Sequence, residues 1–337
     1  MKHTLQGRLR ADPFDSVLRT SLRANPSAPC RSLRAKAGEI EAGALLREAA
    51  SLLGRNGDGL LDAEVLLSFA LGRDREWLYA HPGHRPEGAI RDRFDEMVRA
   101  RAAGCPVAYL TNRKEFAGLD LAMRRGVFIP RPETEGLLEL AESWLAANPV
   151  PGAVVDACCG SGAIAVALAV RTGLTVIATD ISAGAVGLAR ENAAKHGVSG
   201  LVTVLAGRGL APLGGLLPRP EIRAVVANPP YVTSAAMPGL PRDVAGYEPR
   251  AALEGGPDGL DVIRELLREA AVWLGSGGLL ALEMGADQAE TLPSLFDAGQ
   301  WRTPRMERDL AGLPRYVLAV KTGLPAGSLV EGHPLRT

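Results

Sequence analysis

Apolar positions along the 337-residue chain change their spacing twice. From Glu39 the spacing is helical. In "EIEAGALLREAASLLG", Leu45, Leu46, Ala49, Leu52 and Leu53 fall on one side of a 3.6-residue turn. "DAEVLLSFALG" continues the pattern, with Asp62 placed to cap it. "PEGAIRDRFDEMVRARAAG" gives a third helix that Gly104 ends before Pro106. Three short amphipathic helices make a small bundle, of the kind that serves as a lid or a partner-recognition module. Around Ala108, Leu110, Phe116, Leu119 and Leu121 the apolar residues alternate instead, which predicts a hairpin linking two domains. Pro130 and Pro132 stiffen the chain about Arg131. Glu133 or Thr134 is placed to cap the helix beginning "EGLLELAESWLAA".

From Val150 the rhythm becomes strand, helix, strand, helix. "GAVVDACCGSG" reads as strand and turn, "AIAVALAVRTG" as helix, "TVIATD" as strand and "SAGAVGLARENAAKHG" as helix. "LVTVLA" and "IRAVVANPPY" add strands, "PDGLDVIRELLREAAVWL" a long helix and "GGLLALEMG" another strand. "ADQAETLPSLFDAG" reads as helix, and strands near "TPRMERDL" and "RYVLAVK" close the chain. Strands alternating with helices of this length imply a doubly wound α/β sheet. The expected domains are a disordered leader over 1–38, a helical recognition domain over 39–106, a hairpin linker over 107–130, the α/β domain over 131–322 and a loose tail over 323–337.

Charge adds little to this picture. Lys and Arg total 38, as do Asp and Glu, so nothing overall advertises stable nucleic-acid or membrane binding. No apolar run reaches membrane-spanning length. The leader, rich in Arg, Ser and Leu, reads as disordered or as a start codon placed too early; a transit peptide, which shares that composition, is the alternative. Cys30, Cys105, Cys158 and Cys159 lack metal-ligand spacing, and reduced thiols fit a cytoplasmic protein. His81 and His84 form an H-x-x-H pair in a Pro/Gly-rich loop with no third ligand nearby, so no metal site is expected. A monomer is the default.

The chemistry gathers at strand ends. After the first strand comes Asp156-Ala157-Cys158-Cys159-Gly160-Ser161-Gly162, and then a helix. Small residues there let a ligand approach the backbone, and the helix start offers free N–H groups. Asp180 ends the next strand, where a carboxylate suits ribose hydroxyls. The dinucleotide fingerprint G-x-G-x-x-G is absent and Asp156 precedes the glycines. This favours S-adenosylmethionine over NAD, with Asp156 either orienting the turn or attracting the cationic part of the cofactor. The fourth strand ends "VVANPPYV". Asn228 offers a side-chain oxygen, Pro229 and Pro230 hold a backbone carbonyl rigidly, and Tyr231 offers a flat wall. Those groups suit a neutral amide or amine nitrogen held for in-line transfer by alignment and exclusion of water. N-P-P-Y as a plain turn is the alternative.

From about Leu45 to Val320 the chain resembles the glutamine methyltransferases that modify peptide chain release factors. The resemblance lies in "LREAASLL…DAEVLL", "GCPVAYLTNRKEFAGLDL", "FIPRPETE", "VVDACCGSGAIAVALA", "NPPYV", "EPRAALEGGPDGLDVIRELL" and "DLAGLPRYV". N-P-P-Y alone is shared with enzymes that methylate adenine in DNA, which would want a basic groove. "IPRPETE" and "EP…AL-x-G-G-x-D-G-L" are more specific to protein glutamine. The resemblance implies a Rossmann-like methyltransferase sheet with S-adenosylmethionine over residues 158–162 and Asp180 on its ribose. It implies that Asn228 through Tyr231 grip a glutamine of a Gly-Gly-Gln loop, presented partly by the helical domain. Phe128, Arg131 and Thr134 are implied as cofactor-pocket residues. Two departures stand out. Cys158 replaces the first glycine of the D-x-G-x-G-x-G turn, and Gly207, Arg208 and Gly209 stand where the family places an acidic residue near adenine. "AYLT" and "MPGLPRDV…EP" are also similar to the branch that methylates a large-subunit ribosomal protein. A small amide or amine substrate, and a binding protein without catalysis, remain alternatives.

Overall fold

The computed structural model describes residues 40–54, 59–149, 151–216 and 221–323. The expected leader and all but the first residue of the expected tail lie outside them, as does Cys30. The described chain divides into two compact units. The first runs to Arg113 and also takes in Pro241–Tyr247; the second holds Lys114–Leu240 and Glu248 onward.

The first unit contains α1 (Ala42–Leu53), α2 (Gly59–Leu71), α3 (Arg75–Ala80), α4 (Gly88–Ala102) and α5 (Val107–Thr111), with one further helical turn at Arg242–Ala245. Leu45, Ala49 and Leu53 bury the inner stripe of α1, and Leu66, Leu67, Phe94, Met97, Tyr109 and Leu110 are fully buried. Asp62 does not cap α2, which begins three residues earlier; its carboxylate instead accepts Arg101 Nε at 2.6 Å. The true side-chain cap is on α3, where Asp74 accepts the Trp77 N–H at 2.8 Å. Gly104 follows the α4 cap with φ +100°, the left-handed stop its position promised. The Tyr247 hydroxyl donates to the Ala103 carbonyl, and Arg101 also reaches Asp243. Residues 241–247 thus belong to this helical unit although they arrive late in sequence.

The expected hairpin is shorter than its alternation suggested. Val107–Thr111 is one more turn of helix, so Ala108 and Leu110 are helical; the strands are β1 (Arg113–Phe116) and β2 (Leu119–Ala122). Ala117 and Gly118 both take positive φ, the two-residue turn whose twist matches a hairpin.

The second unit is the doubly wound α/β sheet. Its elements are α6 (Pro132–Ala147), β3 (Ala153–Ala157), α7 (Ala163–Thr172), β4 (Val176–Asp180), α8 (Ala183–Lys195), β5 (Val202–Ala206), β6 (Ile222–Ala227), α9 (Asp261–Trp273), β7 (Leu274–Glu283), β8 (Arg305–Arg308) and β9 (Pro314–Val320). The strand order is β5-β4-β3-β6-β7-β9-β8, with β9 antiparallel to both neighbours. Alternate strand residues enter opposite cores. Val154, Val226 and Ala281 pack with α6, α7 and α8; Val155, Val225 and Leu282 pack with α9. The order in which strands are added reverses between the parallel neighbours β3 and β6, and Ala157 pairs Ala227, which pairs Leu282. The residues after those three alanine and leucine ends therefore meet at the switch point, where open α/β sheets bind ligands.

Two further expectations change. The N-cap of α6 is Arg131 with Pro132 at N1, and neither Glu133 nor Thr134 caps it. The segment 286–299 forms two 3-10 turns, Ala286–Gln288 and Leu292–Leu295, instead of a helix, because Pro293 lacks the N–H that a continuing helix needs.

Candidate active site

A cavity of about 500 Å³ opens at the switch point, entirely within the second unit. Its walls come from the turn after β3 (Cys158, Gly160), the end of β4 and start of α8 (Thr179–Ser182, Ala185), the loop after β5 (Gly207, Arg208, Gly209), the end of β6 (Asn228, Pro230), and the segments 126–128 and 249–262. That volume and mixed lining suit a nucleoside-sized ligand.

The turn after β3 is tied down from several sides. Asp180 Oδ2 accepts the Gly160 N–H at 2.9 Å while Oδ1 accepts the Ser182 N–H at 2.8 Å. A side chain added at Gly160 would meet no protein atom, so its backbone faces open space in the cavity. Asp180 lies on the cavity wall with lone pairs to spare beyond these two bonds. Burial raises its pKa, and the two N–H bonds oppose that rise. Cys158 lines the cavity in a left-handed conformation, φ 58°, which explains why glycine is the expected residue there. Burial, with Asp180 next, holds its thiol well above the usual range.

Asp156 does not reach the cavity. It is 1 % exposed, and its Oδ2 accepts the Ala165 N–H at 2.9 Å, bracing the first turn of α7 from beneath. Burial pushes its pKa up to about 8, which disfavours an anion there. Of the two roles open to it, orienting the turn is the one its position allows. Cys159 and Ser161 are also buried and absent from the lining; they support the turn through packing.

Asn228 lines the cavity and is held from behind. Its Nδ2 donates to Thr134 Oγ1 at 2.9 Å, and Thr134 Oγ1 donates to Glu283 Oε2 at 2.8 Å. Tyr231 donates its hydroxyl to Glu283 Oε1 at 3.2 Å. Tyr231 therefore packs into the α9-side core and is not a cavity wall, and Thr134 lies behind Asn228 rather than in the lining. Phe128 does line the cavity. Arg131 does not; its guanidinium stacks over the Phe128 ring at 4.8 Å and pairs with Glu248, which also accepts the Ile129 N–H at 3.1 Å. Pro229 is buried, and Pro230 is at the wall. Among the described residues neither proline carbonyl has a partner within the chain. The glycines of "EGGPDGL" press against this turn: a Cβ on Gly255 would lie 2.6 Å from the Pro230 carbonyl oxygen, and one on Gly259 would lie 2.2 Å from that of Tyr231. Close backbone approach is the physical content of that motif.

Gly207, Arg208 and Gly209, the departure noted in the sequence, do form part of the wall. Arg208 turns to Glu265 of α9 with Nε contacts of 2.6 and 2.8 Å, and the Gly209 carbonyl accepts Thr179 Oγ1 at 2.8 Å. Sequence reasoning missed Glu283 and Glu248. Each is a carboxylate next to an apolar strand end or a proline turn, and each is almost fully buried. A lone acid closing "LLALE" is the signal that was there to read. Among the described residues no cluster of three or more His, Cys, Asp or Glu is placed to hold a metal ion. The His81 ring stacks on Trp77 at 4.3 Å, and His84 meets the same ring edge-on. No described helix is long and apolar enough to cross a membrane.

Comparison with known proteins places these features in context. Residues 44–111 match a family model described as the PrmC N-terminal domain, and residues 126–239 match one described as the methyltransferase small domain. A release factor glutamine methyltransferase from Moorella thermoacetica is 45% identical over 264 residues, covering 77% of this chain and 91% of that protein. One from Nitratidesulfovibrio vulgaris is 38% identical, covering 77% and 87%. Among solved structures, TrmN from Thermus thermophilus is similar at 25% identity over 55% of this chain and 48% of that one, with a TM-score of 0.39.

Proposed function

Because the chain belongs to the release factor glutamine methyltransferase family, we propose that it transfers a methyl group from S-adenosylmethionine to the side-chain amide nitrogen of a glutamine in a peptide chain release factor. The observation that carries this reading is the Asn228 amide, fixed by Thr134 with its oxygen end left for the cavity.

Asp180, the 158–162 turn and Phe128 would hold the cofactor, and the residues fit it: a carboxylate at the wall for hydroxyls, bare backbone at Gly160 and an aromatic face. When bound, that cofactor supplies a methyl group on a cationic sulfur, which keeps the bonding electron pair as the new nitrogen–carbon bond forms. Asn228 Oδ1 accepts one N–H of the glutamine amide, and a proline carbonyl of 229–230 accepts the other. Neither acceptor is a strong base. Their contribution is to aim a weakly nucleophilic nitrogen and to strip it of water before transfer. The amide proton is lost to solvent once the nitrogen is alkylated and acidic. A release factor as substrate fits a cytoplasmic protein, since translation ends there.

The test is transfer of labelled methyl from S-adenosylmethionine to purified release factor, with the Gly-Gly-Gln glutamine changed to alanine as control. Labelling that vanishes in the control supports the reading. Cofactor binding without labelling of the release factor would redirect it to a ribosomal protein or a small amide, and absence of cofactor binding would leave a binding protein.

A further inference from the structure

We propose that Thr134, its hydroxyl proton committed to Glu283, is the positioning residue that decides which end of the Asn228 amide faces the cavity. The inference rests on the methyl-transfer reading, in which Asn228 Oδ1 receives the substrate amide.

An asparagine fills the same space either way round, and only its hydrogen bonds choose between the two. Thr134 has one hydroxyl proton, and it goes to Glu283 Oε2 at 2.8 Å. Having given that proton, Oγ1 can only accept, so the end of Asn228 that lies 2.9 Å away must be Nδ2. Oδ1 is then the end left for the cavity, and it has no partner within the chain among the described residues. Turned round, the amide would offer N–H groups to a substrate that itself presents N–H groups, and the grip would be lost.

The chain of bonds works only while Glu283 accepts. It accepts from Thr134 on one oxygen and from Tyr231 on the other. A proton on Glu283 would let it donate to Thr134 and free the threonine hydroxyl to donate to Asn228, inverting the amide. Burial raises the Glu283 pKa; the bonds from Thr134 and Tyr231 and the charge of Arg315 on β9 oppose it, while Glu133 on α6 adds to it. The fold builds this arrangement directly. Ala227 pairs with Leu282, so Asn228 and Glu283 leave adjacent strands side by side. Helix α6 delivers Thr134, and the Tyr316 hydroxyl of β9 holds that first turn by donating to the Glu133 carbonyl at 2.6 Å.

Thr134→Ser and Thr134→Val test it. Serine keeps the hydroxyl and should hold kcat within about threefold of the parent, whereas valine should lower kcat by about tenfold or more, the worth of one well-placed hydrogen bond. Cofactor affinity should stay within about twofold in both, because Thr134 does not line the cavity. In an Asn228→Ala background the valine change should cost nothing further, since the two residues act as one unit. Parental turnover in the valine variant, or full additivity with Asn228→Ala, would overturn the proposal. Should the valine variant not fold, the serine variant decides: a tenfold loss there sinks the idea, and retention supports it. A readout independent of activity is hydrogen exchange of the Asn228 side-chain NH2 by NMR, expected slow in the parent and in serine. Fast exchange in the parent would overturn this positioning role, whereas slow exchange with no methyl reaching a release factor would overturn the functional reading alone.

Discussion

Asp180 Oδ2 accepts the backbone N–H of Gly160 at 2.9 Å, across twenty residues of sequence, and so ties the end of β4 to the turn after β3. One carboxylate therefore shapes the turn and also stands on the cavity wall. Asp180→Ala should weaken S-adenosylmethionine by about 10- to 100-fold, the range for losing hydrogen bonds to a charged group. Turnover at saturating cofactor should change only a few-fold. Calorimetric titration beside steady-state kinetics checks both; unchanged affinity would remove Asp180 from the cofactor site.

Asp156 makes a prediction about pH. Its folded pKa, about 8, lies far above the ordinary carboxylate value, so the folded state keeps a proton that the unfolded chain gives up. Stability from this group is complete below about pH 4 and is lost as pH rises toward 8. Asp156→Asn keeps an oxygen for the Ala165 N–H without an ionisable proton. Melting temperatures of the two proteins should diverge between pH 5 and 8, with the asparagine variant gaining on the parent as pH rises. Parallel curves would show that Asp156 titrates normally.

Cys158 sits at φ 58° without being glycine. Such a conformation costs a side-chain-bearing residue about 1–2 kcal/mol, and glycine returns about 0.5–1 kcal/mol of that through its freer unfolded chain. Cys158→Gly should therefore raise unfolding free energy by up to about 1 kcal/mol, read from denaturant titration. It should also leave cofactor affinity equal or better, since a thiol leaves the cavity wall. A destabilised variant would mean that the Cys158 side chain packs more than its backbone strains.

Gly255 has no room for even a methyl group. The added Cβ would meet the Pro230 oxygen at 2.6 Å and the Gly259 oxygen at 2.5 Å, both backbone atoms that cannot swing aside. Gly255→Ala should cost about 1–3 kcal/mol of stability by overpacking and lower turnover by displacing the Pro230 carbonyl. Thermal denaturation with a parallel activity assay reads both, and a variant with parental values would show that the segment yields freely.

The sheet was legible because its buried strands are short apolar runs, each closed by a polar or glycine-rich turn. Asn228 and Asp180 were legible for the same reason: each stands at the close of such a run. Helix α5 was not, since five residues, four of them buried in a row from Ala108 to Thr111, are too few to display a helical period. The segment after Gly285 has helical spacing but a proline in the wrong place. Thr134 was read as lining the pocket, and Glu283 was not read at all. Their bond joins residues 149 apart, and no local pattern encodes which side of an asparagine a distant hydroxyl will occupy. Arg131 and Tyr231 show the same limit. Tyr231 follows Pro230 of the cavity wall and Arg131 lies three residues after Phe128, yet Glu283 and Glu248 draw their polar ends elsewhere.

The placement of Pro241–Tyr247 bears on how this protein can be taken apart. The backbone passes between the two units at three junctions, 113/114, 240/241 and 247/248. A clone begun at Lys114 would keep Asp243 and Tyr247 while discarding Arg101 and Ala103, the groups they contact. Chimeras that exchange the helical unit between relatives must therefore graft two separate stretches of sequence, and inheritance of one without the other leaves a mismatched seam inside that unit.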